Sequence, residues 1–161
     1  MNTKLTSRIN LLRRNFFCFL VIFLASLSLL ILNQTTALAA DDLVFYEGND
    51  CQQDIVFTYD STVFVDENCQ SSGSACYGDN DEARSLKILG FVNPGTRVEV
   101  YDHPDADSTD DYAVIDILDP NFDEFCVNTF EKNINEDGVQ VYVAYKNGLD
   151  GKISHNTVIP Y

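Results

Sequence analysis

Short runs of alternating apolar and polar residues fill the chain from residue 43 to residue 159, and no window shows the apolar stripe of an amphipathic helix. These runs are rich in Val, Ile, Phe, Tyr and Thr, which suit half-buried strands. Nine strands are predicted, over residues 43–47, 54–59, 62–66, 84–89, 97–102, 112–118, 125–130, 139–145 and 152–159. The sequence therefore predicts an all-β fold, and strands this short bury one face by packing as a β-sandwich.

The first 39 residues have the pattern of an export signal. Four basic residues lie within the first 14, an apolar run covers residues 16–32, and Ala37-Leu38-Ala39 is a small-residue cleavage sequence. The apolar run is long enough to span a bilayer, so a retained anchor is the alternative. Cys18 lies in this run and is expected to leave with the signal. Residues 40–161 then form one domain, expected to be a secreted or extracytoplasmic monomer with no membrane attachment after cleavage.

The charge of this domain limits its partners. All acidic residues lie after the signal, so the domain has six basic residues against 25 acidic ones and a formal charge of −19. A negative field of this size repels nucleic acid and anionic lipid surfaces and attracts cations. We expect neither nucleic acid nor membrane as a partner.

Four cysteines remain after the signal: Cys51, Cys69, Cys76 and Cys126. They contain no C-x-x-C pair and have no histidine nearby in sequence, so zinc is a poor use for them. An even number of cysteines in an exported chain favours two disulfides, and three connectivities are possible. A local Cys69–Cys76 bridge would close the loop CQSSGSAC, and a Cys51–Cys126 bridge would then join the two halves of the chain.

The chain also resembles itself. The segment LVFYEGND (residues 43–50) is similar to VEVYDHPD (98–105), since each is a strand that ends in Tyr and an acid before a polar turn. Farther on, NDEARS (80–85) is similar to LDGKIS (149–154), with Asp at the second position and Ser at the sixth. The two offsets are 55 and 69 residues, so the second half holds about 14 extra residues. Two similar landmarks in the same order indicate an internal duplication.

At these residues, and at the linker NPGTRVEVYD, the chain resembles the βγ-crystallin superfamily. The resemblance covers residues 43 to about 159 and implies a β-sandwich of two Greek-key motifs. In microbial members a six-residue motif, two Asp or Asn, two variable residues, then Ser or Thr and Ser, binds calcium once per Greek key. The resemblance implies ligands at Asn80, Asp81, Glu82 and Ser85, at Asp150, Gly151 and Ser154, and at Glu47 and Asp102 in the polar turns.

The motifs depart from this pattern at several positions. Arg84 and Ile153 stand at the fifth position in place of a hydroxyl ligand, and Leu149 replaces the first Asp or Asn. Calcium takes six to eight oxygens, so the loss of one ligand weakens a site without removing it. Alternatively, Asp81 and Asp150 only accept hydrogen bonds from turn backbone. The acidic loop over residues 105–111 is a loose cation site or, alternatively, a solvated hairpin tip.

The sequence predicts no catalytic site. It has no nucleophile elbow, zinc-protease helix or phosphate-binding loop, and His103 and His155 are expected to be exposed polar residues. Two function classes follow. The first is a secreted calcium-binding module with a structural or stress-related role. The second is an exported interaction protein on the same fold, such as a proteinase inhibitor or an antimicrobial toxin-like protein, which would engage an extracellular protein through the loop over residues 69–76 or the insert over residues 133–138.

Overall fold

The computed structural model describes residues 41–79 and 81–161. The predicted signal over residues 1–39, with Cys18, and the candidate ligand Asn80 lie outside the described residues. Within the described ranges, no helix has the length and apolar character needed to cross a bilayer.

The described residues form ten β-strands and one short 3₁₀ helix, which confirms the all-β prediction. The strands are β1 (Leu43–Tyr46), β2 (Ile55–Tyr59), β3 (Val65–Asn68), β4 (Ser85–Leu89), β5 (Arg97–Tyr101), β6 (Tyr112–Ile117), β7 (Glu124–Val127), β8 (Ile134–Glu136), β9 (Val139–Ala144) and β10 (His155–Ile159), and the 3₁₀ helix covers Asn49–Cys51. All nine predicted strands have a counterpart.

Two differences from the predicted strands have local causes. The third strand begins three residues later than predicted, because Asp60 accepts hydrogen bonds from the backbone and hydroxyl of Thr62 and holds that residue in a turn. The additional strand, β8, has only three residues and is largely polar, so it shows no clear alternation. It pairs with β9 through the turn at Asp137 and Gly138, both of which have positive φ.

The strands form two antiparallel sheets, as expected for a β-sandwich. One sheet has four strands in the order β2-β1-β4-β7, and the other has six in the order β3-β10-β5-β6-β9-β8. The third strand of the first half, β3, pairs with β10 from the end of the chain. In turn β7, from the second half, pairs with β4. Each half of the chain therefore contributes one strand to the sheet that the other half begins.

The inward side chains of the two sheets form the core, because each strand alternates between buried and exposed positions. Phe45 is fully buried and contacts Phe57 at 4.5 Å and Phe130 at 6.2 Å between ring centroids. Each such buried side chain contributes about 1.5–3 kcal/mol. The other large, fully buried residues are Leu43, Leu86, Ile88, Val98, Val100, Ile115, Ile117, Val127, Leu149 and Ile153.

Two disulfides join the four cysteines in the pairing that the sequence suggested. Cys51 in the 3₁₀ helix is bonded to Cys126 in β7, 75 residues away, and Cys69 is bonded to Cys76. In a chain-entropy treatment, the loss of unfolded-state freedom is worth about 4.5 kcal/mol for the long loop and about 2.5 kcal/mol for the short one. Two such bonds are compatible with an oxidising, extracytoplasmic compartment.

Candidate cation site

The two acidic six-residue segments lie against each other and are related by a pseudo-twofold arrangement of backbone hydrogen bonds. The Asp81 amide donates to the Ile153 carbonyl at 3.2 Å, and the Gly151 amide donates to the Ala83 carbonyl at 2.9 Å. Asp81 and Gly151 also share a left-handed backbone, with φ of 68° and 74°. These equivalences relate residue 81 to residue 151, an offset of 70.

The same offset appears where each segment meets the first strand of its half. The Arg84 amide donates to the Tyr46 carbonyl at 2.8 Å, and the Ser154 amide donates to the Tyr101 carbonyl at 2.8 Å. Ser154 is therefore the counterpart of Arg84.

The residue-by-residue alignment of the two motifs from the sequence is thus wrong by one position. It paired Ser85 with Ser154, whereas in the structure His155 is the counterpart of Ser85, and Asp150 corresponds to position 80. The physical reason is that Leu149 and Ile153 are core residues, with 0% and 1% of their surface exposed, so neither occupies a ligand position. Ser154 supplies the hydroxyl of the fifth position, which only the first motif lacks.

The sixth position of each motif is structural. The Ser85 hydroxyl, which is buried, donates to the Gly48 carbonyl at 2.6 Å and accepts from the Cys51 amide at 3.0 Å. His155 contacts the Pro104 carbonyl through Nδ1 and the Asp66 carboxylate through Nε2, both at 2.8 Å. The expectation that His155 is exposed is wrong, since 8% of its surface is accessible. Both side chains fix a loop that follows the first strand of their half.

Asp150 joins segments that are distant in sequence, and it lines an open pocket together with Asn49 and Thr129. Its carboxylate accepts hydrogen bonds from the Asn49 amide group at 2.7 Å, the Thr129 hydroxyl at 2.6 Å and the Phe130 backbone amide at 2.8 Å. Three donors satisfy most of the acceptor capacity of a carboxylate. Only the Phe130 contact is with turn backbone, so the alternative interpretation of Asp150 describes one of its three contacts.

Arg84 places a positive charge beside the second motif. Its Nη1 lies 3.5 Å from the Asp150 carbonyl oxygen. Its Nη2 would lie 2.7 Å from a Cβ at position 151, so glycine at that position leaves room for the guanidinium. Among the described residues, no carboxylate lies within 4.0 Å of Arg84. The guanidinium therefore supplies a positive charge beside the Asp150 carbonyl on this side of the molecule.

The other side of the pseudo-twofold holds a cluster of three carboxylates, the acidic cluster, formed by Asp102, Asp110 and Asp111. One oxygen from each lies within 4.8 Å of the others. Asp102 directly follows β5 and Asp111 directly precedes β6, and the Asp102 amide donates to the Asp111 carbonyl at 3.0 Å. The β5–β6 hairpin therefore brings the three side chains together.

Hydrogen bonds from backbone amides hold two of these carboxylates in place. Asp111 is fully buried and accepts from the Lys146 amide and, at 2.9 Å, from the Asn147 amide. Asp110 accepts from the Asp111 amide at 2.9 Å. These amide contacts fix the orientation of both carboxylates.

The electrostatics of Asp102 reflect this crowding. Partial burial raises the pKa of Asp102, and the nearby charges of Asp110, Asp111 and Asp81 raise it further. Lys152 opposes the shift with its positive charge, and its ammonium group is held by the carbonyl and side-chain oxygens of Asn147. The ionised acidic cluster is thus strained by like-charge repulsion that one lysine offsets only in part.

The spacing of the acidic cluster fits a calcium ion. Calcium binds oxygen at 2.3–2.6 Å, so two ligands on opposite sides of the ion lie about 4.6–5.2 Å apart. Asp81 lies close enough to the acidic cluster for its charge to raise the pKa of Asp102. The Asp81 carboxylate accepts a hydrogen bond from the Ser154 hydroxyl at 3.2 Å. Hard oxygen ligands and a net negative charge favour Ca²⁺ over softer metals.

The structure thus brings only part of the predicted ligand set together. One predicted ligand, Asp102, belongs to the acidic cluster. Two others, Asp81 and Ser154, contact each other on the same side of the pseudo-twofold. Glu47 and Glu82 are exposed, and neither belongs to a metal-ligand group among the described residues. Asp110 and Asp111 were missed as ligands, although their acidic loop was noticed. Their position between two strands of one hairpin was the signal that could have identified them.

Comparison of the chain with protein-family models, with curated proteins and with solved structures finds no match.

Proposed function

We propose that this protein is an extracytoplasmic βγ-crystallin-like module that binds one calcium ion at Asp102, Asp110 and Asp111. The observation that carries the proposal is the grouping of the three carboxylate oxygens within 4.8 Å of one another in the loop between β5 and β6. The family resemblance rests on the sequence motifs and on the order of the strands.

The strand order supports two Greek-key motifs. In the first half, β1 pairs with both β2 and β4, and in the second half, β5 pairs with both β6 and β10. The last strand of each half, β4 or β10, thus returns through a long connection to lie beside the first, as in a Greek key. The β8–β9 hairpin lies between β7 and β10, in the half for which the sequence indicates extra residues. It accounts for the unequal length of the two repeats.

The contacts support one ion rather than two. On the side of the pseudo-twofold that holds the acidic cluster, Ser154 supplies a hydroxyl. On the opposite side, its counterpart is Arg84, whose guanidinium is already beside the Asp150 carbonyl. A divalent ion placed next to that guanidinium would meet a like charge, so binding there is disfavoured.

Bound calcium would stabilise the fold by neutralising the acidic cluster. A ligand that binds only the folded state adds about 2.7 kcal/mol at a concentration 100 times its Kd. The ion would also hold together the two ends of the loop between β5 and β6, because Asp102 follows β5 and Asp111 precedes β6. This role suits a structural module in a calcium-containing extracellular medium.

The inhibitor alternative gains no support from the two loops that would serve it. The loop between Cys69 and Cys76 is folded into consecutive turns, with hydrogen bonds from Ser71 to Asn68 and from Ser74 to Ser71. The insert over residues 133–138 is part of a β-hairpin. A protease binds its substrate strand extended, whereas the loop over residues 69–76 is turned and the extended residues of β8 are already paired with β9 along one edge.

Calorimetric titration of calcium into the EDTA-treated protein tests the proposal. We expect one ion per chain, with much weaker binding of magnesium, which demands tighter octahedral geometry. Asp102→Asn should abolish the binding heat. Asp107→Asn is the matched control, because it removes the same charge from the same hairpin outside the acidic cluster. Binding that survives Asp102→Asn, or that is absent from the unmodified protein, would contradict the proposal.

A further inference from the structure

Three tyrosines form a continuous row across the outward face of the six-stranded sheet. Tyr101 on β5 and Tyr112 on β6 are cross-strand neighbours whose ring centroids are 5.7 Å apart and nearly parallel, at 24°. Tyr142 on β9 follows at 6.3 Å from Tyr112. Tyr142 has 58% of its surface exposed, so the row opens to solvent at this end. We call these three residues the tyrosine row.

Fixed contacts order this surface before any partner arrives. The Tyr101 hydroxyl donates to the Glu99 carboxylate at 2.7 Å, and the His155 ring lies edge-on to Tyr101 at 6.0 Å. Arg97 donates two hydrogen bonds to Asp116, at 2.6 and 2.9 Å. Side chains that are already ordered lose little conformational entropy on binding.

The negative charge around the tyrosine row favours a positively charged partner. The nearby carboxylates are Glu99 and Asp116, and Arg97 is the one basic side chain that pairs with them. The domain as a whole is also negatively charged, since residues 41–161 contain six basic and 25 acidic residues. A cationic surface is therefore complementary to this face, and an anionic one is repelled.

Tyrosine rings favour one kind of cation. The face of an aromatic ring is electronegative and attracts a cation placed over it. Arginine suits such a ring better than lysine, because its planar guanidinium stacks on the ring and is less strongly hydrated. Exposed tyrosines on an ordered surface are also common binding hot spots.

We propose that the tyrosine row is a docking surface for an arginine-rich segment of a partner protein. Arginine side chains would stack on Tyr142 and Tyr112, and their charge would be complemented by Glu99. This surface does not use the acidic cluster, so the proposal is independent of calcium binding.

Fluorescence anisotropy with labelled nona-arginine and nona-lysine tests the proposal, and repeating it with Asp102→Asn reveals any binding that depends on the acidic cluster instead. We expect nona-arginine to bind several-fold more tightly than nona-lysine. Tyr142→Ala should weaken nona-arginine about threefold to tenfold and remove its preference over nona-lysine, whereas Tyr142→Phe should keep it. Tyr77→Ala is the matched control, because Tyr77 is 56% exposed and lies outside the tyrosine row.

Two results would overturn the proposal. The first is equal binding of both peptides with no effect of Tyr142→Ala, which would leave only general attraction to an acidic protein. The second is Tyr142-dependent binding of the neutral sugar cellohexaose in place of nona-arginine, which would make the row a glycan site. Circular dichroism of each variant checks that the fold is intact.

Discussion

The two sides of the pseudo-twofold share a backbone and differ in charge. On one side, Arg84 lies against Gly151 and the Asp150 carbonyl. On the other, Ser154 lies beside Asp81, near the acidic cluster. The backbone hydrogen bonds are the same, but the fifth position holds a guanidinium on one side and a hydroxyl on the other, where Lys152 offsets the negative charge only in part.

The comparison shows that the same backbone arrangement carries different side chains on its two sides. The carboxylate of Asp150 is used by three hydrogen-bond donors, and the first-half hairpin has no acidic cluster among its described residues. That side has the Cys51–Cys126 disulfide and these hydrogen bonds in addition to its core packing. The other side keeps three carboxylates whose like charges repel one another.

The largest expected effect comes from breaking the disulfide on the Arg84 side. Changing Cys51 and Cys126 together to Ser should lower the free energy of unfolding by about 4.5 kcal/mol, because the bond closes the longer loop. The matched pair is Cys69 and Cys76, whose replacement should cost about 2.5 kcal/mol. Urea unfolding measures both. Equal losses would show that loop length does not set the difference, and neither variant should lose calcium binding.

Asp150→Ala should produce the next largest effect. It leaves the donors of Asn49, Thr129 and Phe130 without their acceptor, and each lost hydrogen bond costs about 1 kcal/mol, so we expect a total loss of about 2–3 kcal/mol. Asp150→Asn should recover part of this loss. The calcium stoichiometry should stay at one in both variants, and a loss of calcium binding would make Asp150 a ligand after all.

Arg84→Ser makes the two sides alike at the fifth position. It removes an exposed guanidinium, so the stability of the calcium-free protein should change little. We expect a second, weaker calcium equivalent in calorimetric titration, because a hydroxyl and the Asp150 carbonyl would then face the freed space. Arg84→Lys, which keeps the charge, is the control and should bind one ion. A single equivalent in Arg84→Ser would show that the guanidinium is not what prevents a second site.

The sequence was sufficient for much of the fold. Period-two alternation located nine strands, and the loop CQSSGSAC with its flanking cysteines indicated the disulfide pairing that the structure contains. Such local signals survive folding because strand faces and short loops are set by neighbouring residues. The strand β8 was missed, since three residues carry too little periodicity to be distinguished from a turn.

The candidate site was less predictable, for reasons of register and distance. The one-residue error between the motifs arose because Ser85 and Ser154 are chemically alike, and only long-range backbone bonds reveal that Arg84 is the true counterpart of Ser154. The Asp150 carboxylate accepts a hydrogen bond from Asn49, which is 101 residues away in the sequence. Asp110 and Asp111 become ligand candidates only once β5 and β6 pair.

The most direct test of the central claim is the thermal unfolding of Asp102→Asn, with and without calcium. The raised pKa of Asp102 means that ionising it opposes folding, so its destabilising effect is absent at pH values below its unfolded pKa and grows as pH rises through the folded pKa. At neutral pH in EDTA, Asp102→Asn should therefore melt above the unmodified protein, and this gap should close near pH 3.

Calcium should reverse that order, raising the melting temperature of the unmodified protein and leaving Asp102→Asn unchanged. Asp107→Asn is the control with the opposite sign. Hydrogen bonds from Thr109 lower the pKa of Asp107, so its loss should lower the melting temperature at neutral pH and leave the calcium response intact. If Asp102→Asn instead melts below the unmodified protein in EDTA and still responds to calcium, the acidic cluster is not the cation site.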